Sequence, residues 1–192
     1  LLGPDVMFRE SNVSFKKPGG RGFDWHQDFV FFPSSNRTPI MTLTFLENIT
    51  TAMGPTQVIP GSHLGPIYDH YDDNDNWLGL IGDQEKTKLD FDTVDSLIGP
   101  AGSVLFTNSA LVHAALPNHA GTSRPMVIVG YNACDTKTYV DIPYRSRYRW
   151  RVVSGNPSNK IHREKIDLKM PPDWNTHNGV RIDNLVQNAK SI

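Results

Sequence analysis

The feature that most constrains the fold is a succession of short β-like segments separated by turn residues. The stretch MTLTFL alternates small polar and apolar residues, which is typical of a strand with two different faces. Between such segments, KPGGRG, AMGP, IPGSH and IGPAG supply the glycines and prolines that tight corners require. Many short strands joined in this way favour a β-sandwich or jelly-roll barrel over a parallel α/β sheet. The predicted strands are Val6–Phe15, Phe23–Phe31, Ile40–Leu46, Thr56–Ile59, Ser103–Phe106, Val112–Ala115 and Met126–Tyr131.

Helical periodicity occurs near the end of the chain, where apolar residues follow the i, i+3, i+4, i+7 spacing of a surface helix. These residues are Ile182, Leu185, Val186 and Ala189. The middle segment YDHYDDNDNWLGLIGDQEKTK is polar and acidic, and we expect it to form an excursion from the barrel. The 192 residues are 38% hydrophobic, which is enough for one domain with its own core. We therefore expect residues 1–192 to form a single, mainly β domain with peripheral helices.

Charge and composition exclude several classes of protein. The formal net charge of −1 gives no basic field for nucleic acid. No apolar run approaches the ~18–20 residues of a membrane span, and the sequence has no signal-peptide pattern. The single cysteine excludes a disulfide framework and fits a reducing compartment. We expect a cytoplasmic protein without membrane or nucleic-acid partners, and its oligomeric state stays open. Because the sequence starts at Leu1 without a methionine, we also expect the full-length protein to carry a further N-terminal segment.

A histidine and an aspartate flank one residue in the stretch GFDWHQDFVFFP. If this stretch is a strand, His26 and Asp28 project from the same face and can reach one ion. The candidate third ligand is His113, which lies in another β-like segment far downstream. Two imidazoles and one carboxylate on one face of an ion leave three open positions, an arrangement that suits non-haem Fe(II). Zinc is an alternative metal, and an exposed polar strand face without metal is the alternative to a metal site.

An arginine follows His113 by eleven residues and opens the last strongly apolar segment. The guanidinium of this residue, Arg124, can grip a carboxylate through two parallel hydrogen bonds, which a lysine cannot do. A dicarboxylate cosubstrate can then chelate a metal at one end and meet Arg124 at the other. The alternative is a rim arginine paired with a surface acid.

Taken together, these residues resemble the phytanoyl-CoA dioxygenase family of Fe(II)- and 2-oxoglutarate-dependent oxygenases. They are also similar to the ectoine hydroxylases. The resemblance is carried by WHQD, MGPTQVIPGSH and AGSVLFTNSALVHAALPNHAGTSRP, and it covers most of residues 1–131. It implies a double-stranded β-helix, a jelly-roll or cupin-like barrel, with iron near its mouth. It also implies that His26, Asp28 and His113 are the catalytic metal ligands. Arg124 would bind the distal carboxylate of 2-oxoglutarate.

The resemblance suggests three further residues at the cosubstrate site. Phe23 matches an aromatic that lines the cosubstrate pocket in related ectoine hydroxylases, although a core aromatic is the plain alternative. Asn118 matches a recurrent family asparagine that either binds the cosubstrate or structures a loop. Thr44 lies on a predicted strand and can hydrogen-bond the cosubstrate, or it is an ordinary β-former. Met126 departs from the pattern, because the family often has a hydroxyl residue at this position.

The function implied is a dioxygenase that uses O2 and 2-oxoglutarate to hydroxylate a C–H bond of a small molecule, with release of succinate and CO2. In related halogenases a small residue replaces the carboxylate, so Asp28 argues against halogenation. If YRSRYRWRVV is a strand, a row of arginines can meet an anionic substrate; a solvated face or an oligomer contact is the alternative. The row comprises Arg145, Arg147, Arg149 and Arg151. Two other functions stay open: a cupin-like metal enzyme that does not use 2-oxoglutarate, and a non-catalytic jelly-roll binding module.

Overall fold

Two antiparallel sheets form the protein in the computed structural model, which describes residues 1–140 and 146–173. The larger sheet has the strand order β6-β3-β8-β1-β9, and the smaller one has the order β2-β7-β4-β5. The strands are β1 Val6–Lys16, β2 Phe23–His26, β3 Ile40–Phe45, β4 Thr56–Val58, β5 Asp95–Leu97, β6 Val104–Asn108, β7 His113–Ala115, β8 Arg124–Ala133 and β9 Val152–Ser154. This arrangement confirms the predicted mainly β, jelly-roll fold.

Helices within the described residues are short. The α-helix α1 spans Asp83–Lys86 and lies in the predicted excursion. Four 3₁₀ turns span Asp28–Val30, Thr51–Met53, Ser62–Leu64 and Phe91–Thr93. The predicted C-terminal helix with Ile182 and Leu185 lies outside the described residues. Within residues 1–140 and 146–173, no helix is long and apolar enough to cross a membrane.

The interior of the barrel is lined by alternate residues of β3 and β8. Directly paired residues of antiparallel strands point to the same face, so Phe45 and its partner Met126 project inwards together. The same core cluster contains Met41, Leu43, Phe45, Ile49, Met53 and Met126. The larger sheet also reaches the smaller one across the interior, because Nη1 of Arg124 donates to Oγ1 of Thr56 at 3.4 Å.

The prediction of a strand over Phe23–Phe31 is wrong beyond its fourth residue. β2 ends at His26, and the chain turns into the 3₁₀ segment Asp28–Val30. The amide of Phe29 donates to the carbonyl of Ser109 at 2.7 Å, a bond outside the β2–β7 ladder. The chain bends here because Gln27, the residue between His26 and Asp28, is fixed by hydrogen bonds to other segments of the chain. The i, i+2 argument for His26 and Asp28 therefore rested on the wrong local structure.

The prediction of an arginine strand in YRSRYRWRVV is also wrong. Residues 147–150 form turns, Trp150 has a φ of 66°, and β9 begins at Val152. Arg145 lies outside the described residues. The other predicted strands agree with β1, β3, β4, β6, β7 and β8 within two residues at each end. β5 was not predicted, because the three residues DSL carry too short a pattern to recognise.

Gly54 gives a test of the packing beside the interior. Its φ of 67° is left-handed, and a Cβ here would overlap the carbonyl oxygen of Leu116 and lie 2.6 Å from that of Pro117. We expect Gly54→Ala to lower the free energy of unfolding by about 1–3 kcal/mol, measured by urea denaturation. The control is Gly121→Ala, because a Cβ at Gly121 meets no atom within 4 Å. Equal stability of the two variants would contradict this description of the turn.

Candidate metal centre

Two histidines face each other across the pairing of β2 with β7. His26 is the last residue of β2, His113 is the first of β7, and the two are direct partners in the ladder. Asp28 starts the 3₁₀ turn and reaches back toward both, with its Oδ1 3.7 Å from Nε2 of His26 and 3.8 Å from Nε2 of His113. One ligand atom from each residue lies within 4.8 Å of the other two. The structure thus brings the three predicted metal-ligand residues together.

Backbone carbonyls orient both imidazole rings. Nδ1–H of His26 donates to the carbonyl of Asp24 at 2.8 Å, and Nδ1–H of His113 donates to that of Leu111 at 3.0 Å. Each ring therefore presents the lone pair of Nε2 to the space beside Asp28, as metal-binding histidines do. Burial, reinforced by the neighbouring His113, lowers the pKa of His26 well below its ordinary value. His26 is thus neutral and able to ligate at physiological pH.

Gln27, between the two candidate ligands, fixes the bend that turns Asp28 toward the histidines. Its side chain is fully buried and donates to the carbonyls of Pro66 at 3.1 Å and Ala110 at 2.7 Å, while its oxygen accepts from the amide of Tyr68. Its own backbone amide donates to Nε2 of His70 at 3.1 Å. These bonds take the place of a continued strand ladder.

His70 lies in the polar segment that the sequence predicts as an excursion from the barrel, but its side chain is buried. The side chain is 2% exposed, and its Nδ1–H donates to the carbonyl of Tyr68. Burial lowers the pKa of His70 to about 4, so the ring stays neutral and its Nε2 accepts from Gln27. Nothing in the local sequence YDHYDD indicates a buried acceptor, because the contact joins residues far apart in the chain.

Arg124 enters the interior from the start of β8. It is 4% exposed, and among the described residues it forms no ion pair and its Nε has no hydrogen-bond partner. Burial lowers the pKa of Arg124 to about 10, so the guanidinium is still charged. The hydroxyl of Thr56 accepts from Nη1. Thr56 thus supplies, from another strand, the hydroxyl that Met126 lacks, since Met126 packs in the core.

Lys16 adds a second cation at the same level of the barrel. It is the direct ladder partner of Arg124, and its Nζ donates to the carbonyls of Gly54 at 3.3 Å and Leu116 at 2.5 Å. Burial, followed by the charge of Arg124, lowers the pKa of Lys16 to about 7. Two cations without an acidic partner in the described part of the chain make this end of the interior attractive to a carboxylate.

The other three predicted site residues have different surroundings. The ring of Phe23 lies edge-on to His26 with centroids 4.3 Å apart, so it borders the metal centre. Thr44 lies on the face of β3 that points away from the core, paired with Val104 and Val127. This position favours the ordinary β-former alternative for Thr44, because the alternation of the strand turns its side chain away from the core.

Asn118 has a loop-structuring position. Its fully buried amide nitrogen donates to the carbonyls of Lys16 and Thr122, both at 2.9 Å, and its oxygen accepts from the amide of Ala120. Both of its donor hydrogens are used within the protein. These contacts favour the loop-structuring alternative for Asn118 over cosubstrate binding.

The donor set fits a first-row transition metal with open positions. Two imidazole nitrogens and one carboxylate oxygen lie close together, which is the ligand set of non-haem Fe(II) sites. The Asp28 and His113 side chains are 31% and 20% exposed, so the cluster opens to small molecules. The same three ligands also suit zinc.

Comparison with known proteins identifies the family. The phytanoyl-CoA dioxygenase (PhyH) family matches residues 1–126. Relatives include the probable alpha-ketoglutarate-dependent hypophosphite dioxygenase of Stutzerimonas stutzeri, 27% identical over 89% of this chain, and the L-proline trans-4-hydroxylase of Streptomyces griseoviridis, 26% identical over 69%. The chain spans 60% and 56% of the length of these two relatives.

A similar solved structure is that of EctD from S. alaskensis with bound Fe. Its TM-score is 0.61 at 23% identity, and the match covers 85% of this chain and 58% of EctD. At that identity the similarity concerns the fold, which agrees with the two-sheet barrel described above. Since the family match covers well over half of the sequence, the resemblance carried by WHQD and its companion motifs is confirmed, and the chain belongs to the phytanoyl-CoA dioxygenase family.

Proposed function

We propose that this protein is an Fe(II)- and 2-oxoglutarate-dependent dioxygenase that hydroxylates a C–H bond of a small molecule. The observation that carries the proposal is the convergence of His26, Asp28 and His113 in the barrel. The same barrel buries Arg124, which has no acidic partner in the described part of the chain. Family membership supports the reaction class. The names of an alpha-ketoglutarate-dependent relative and of an iron-bound structural neighbour support the cofactors.

Each residue has a defined task in this proposal. His26, His113 and Asp28 hold Fe(II), and when bound, the iron supplies oxidation by O2 coupled to decarboxylation of 2-oxoglutarate. Arg124, with the Thr56 hydroxyl beside it, binds the distal carboxylate and sets the direction in which the cosubstrate lies. Phe23 covers one edge of His26 and excludes water from it. Gln27 and His70 keep Asp28 turned toward the metal.

The small-molecule substrate and the single-domain organisation over residues 1–192 are part of the same proposal. Oxidation of a C–H bond gives a hydroxylated product, succinate and CO2. The arginine row that suggested an anionic substrate is not a strand where it is described, so it gives that substrate class no support. We therefore look for the substrate-binding groups inside the barrel.

The first prediction concerns the metal ligands. With Fe(II), O2 and 2-oxoglutarate, the wild-type protein should form succinate even without its substrate, at a slow uncoupled rate. His26→Ala should abolish this succinate formation, because the variant has lost one of the three ligands that hold Fe(II). The control is His119→Ala, since His119 is an exposed histidine that is not one of the three ligands. Succinate formation that survives in His26→Ala, or that is lost equally in His119→Ala, would contradict the assignment.

The second prediction concerns Lys16 and pH. Its pKa of about 7 in the free protein should rise when a carboxylate binds beside it. Binding of 2-oxoglutarate then takes up a proton above pH 7, so the affinity is greatest below pH 7. It should weaken by up to about tenfold per pH unit above pH 7. Calorimetric titration with 2-oxoglutarate at pH 6.5, 7.5 and 8.5 measures this dependence.

Lys16→Met should weaken binding at pH 6.5 and flatten its pH dependence. The matched control is Lys17→Met, which removes an exposed lysine from the next position and should keep the wild-type profile. If Lys16→Met keeps the wild-type slope, Lys16 does not face the bound carboxylate.

A further inference from the structure

A second group of buried polar side chains lies in the barrel interior, away from Arg124. Arg9 and Glu10 are 1% and 4% exposed, and Nη2 of Arg9 lies 3.1 Å from Oε1 of Glu10. Asn132 is 0% exposed, and within residues 1–140 and 146–173 neither atom of its side-chain amide has a hydrogen-bond partner. The Nε of Arg9 lacks a partner in the same described ranges. We call Arg9, Glu10 and Asn132 the polar cluster.

The polar cluster is gathered around Gly130. A Cβ at Gly130 would lie 2.8 Å from Nε of Arg9, so the guanidinium occupies the space above this glycine. Glu10 is the ladder partner of Gly130, and the register of β1 shifts between Phe8 and Glu10. Such a bulge lets neighbouring residues turn to one side of a sheet. Asn132 follows Gly130 by two residues and projects from the same face, about 6–7 Å along the strand.

A pair of phenylalanines connects the polar cluster to the metal centre. Cζ of Arg9 lies 5.9 Å from the ring centroid of Phe32. The rings of Phe32 and Phe31 are 6.3 Å apart, and the ring of Phe31 is 6.1 Å from that of His26. The two aromatic side chains therefore form a continuous wall between Arg9 and His26.

The polar cluster and Arg124 lie at opposite ends of the interior. Arg124 and Asn132 both project inward from β8, and the eight residues that separate them correspond to about 26 Å of strand. Burial raises the pKa of Glu10, Arg9 opposes that effect, and the charge of Asp28 adds to it. This last effect indicates that the metal centre is within electrostatic reach of the polar cluster. A cosubstrate that binds between the metal and Arg124 fills that end of the interior. The substrate can then occupy the space between the metal and the polar cluster.

The unpaired groups of the polar cluster define what it can bind. Asn132 offers a donor and an acceptor, and Nε of Arg9 offers a further donor. The ion pair of Arg9 and Glu10 places one charge of each sign side by side. A molecule with one group of each sign can therefore meet both sides of the pair. An unpaired buried amide is unfavourable until a partner satisfies it.

We propose that the polar cluster recognises the substrate of this protein, and that the substrate is a small zwitterion of amino-acid type, with a carboxylate and an ammonium group. The carboxylate meets Nε of Arg9 and the amide nitrogen of Asn132. The ammonium group meets Glu10 and the amide oxygen of Asn132. The carbon skeleton lies along Phe31 and Phe32 toward the metal. This inference rests on the proposed function, whose substrate class it names.

The decisive variant is Asn132→Leu, which replaces the amide by an apolar side chain of similar size. Calorimetric titrations use the L-α-amino acids as probes, with monocarboxylates and primary amines of matched carbon skeleton as comparisons. They are made on the metal-free protein and on the protein loaded with Fe(II) and 2-oxoglutarate without O2. We expect at least one amino acid to bind the wild type, its matched amine and carboxylate to bind more weakly, and Asn132→Leu to raise its Kd about tenfold or more.

Thermal unfolding separates recognition from a structural role. Because the amide has no hydrogen-bond partner within the described residues, Asn132→Leu should keep or raise Tm. A fall in Tm would mean that Asn132 supports the fold, and would overturn the proposal. The control is Tyr131→Phe, a change on the opposite face of β8, which should alter neither Tm nor binding.

Two binding results would also overturn the proposal. One is that no amino acid binds the wild-type protein in either state. The other is that the same amino acid binds Asn132→Leu as tightly as it binds the wild type. A different measurement tests the proposed function: if that function is wrong, the wild-type protein forms no succinate. Calorimetry on the metal-free protein still reports on the polar cluster in that case.

Discussion

The pairing of β2 with β7 is the interaction on which the rest of the site depends. It places His26 opposite His113, and backbone carbonyls orient both rings so that their Nε2 atoms share one space. The third ligand cannot come from the same ladder, because Asp28 lies beyond the end of the strand. Gln27 ends β2 and forms four hydrogen bonds to two other segments, residues 66–70 and Ala110. The metal centre is thus built by one ladder and one anchored bend, and neither is sufficient alone.

The barrel interior has two ends with different electrostatic character. At one end, Arg124 and Lys16 form no ion pair within the described residues, and burial makes both costly to keep charged. An anion bound between the two side chains would offset this cost, which is why we propose that a carboxylate binds there. At the other end, Arg9 and Glu10 form an ion pair, and within the described residues the side-chain amide of Asn132 has no hydrogen-bond partner. The two ends therefore offer different groups to a bound molecule.

Much of this could be predicted from the sequence, for identifiable reasons. Alternating residues and Gly/Pro separators predicted the sheets, because both signals are local. The triad was predicted because its residue types carry chemistry, but the reason given for His26 and Asp28 was wrong, since a turn and not a strand joins them. The alternatives for Thr44 could not be separated from the sequence, because the alternation of a strand does not tell which face is inside. His70, Thr56 and Asn132 were missed because their contacts join distant segments, which no local pattern reports.

The central claim is that His26, Asp28 and His113 together hold iron in this barrel. The most direct test is diffraction from crystals soaked with Fe(II) in the absence of O2, recorded on both sides of the iron absorption edge. We expect one anomalous peak within bonding distance of Nε2 of both histidines and of an oxygen of Asp28. If the protein binds iron in solution but the soaked crystals show the iron peak elsewhere, or show none at these three residues, they do not form the iron site.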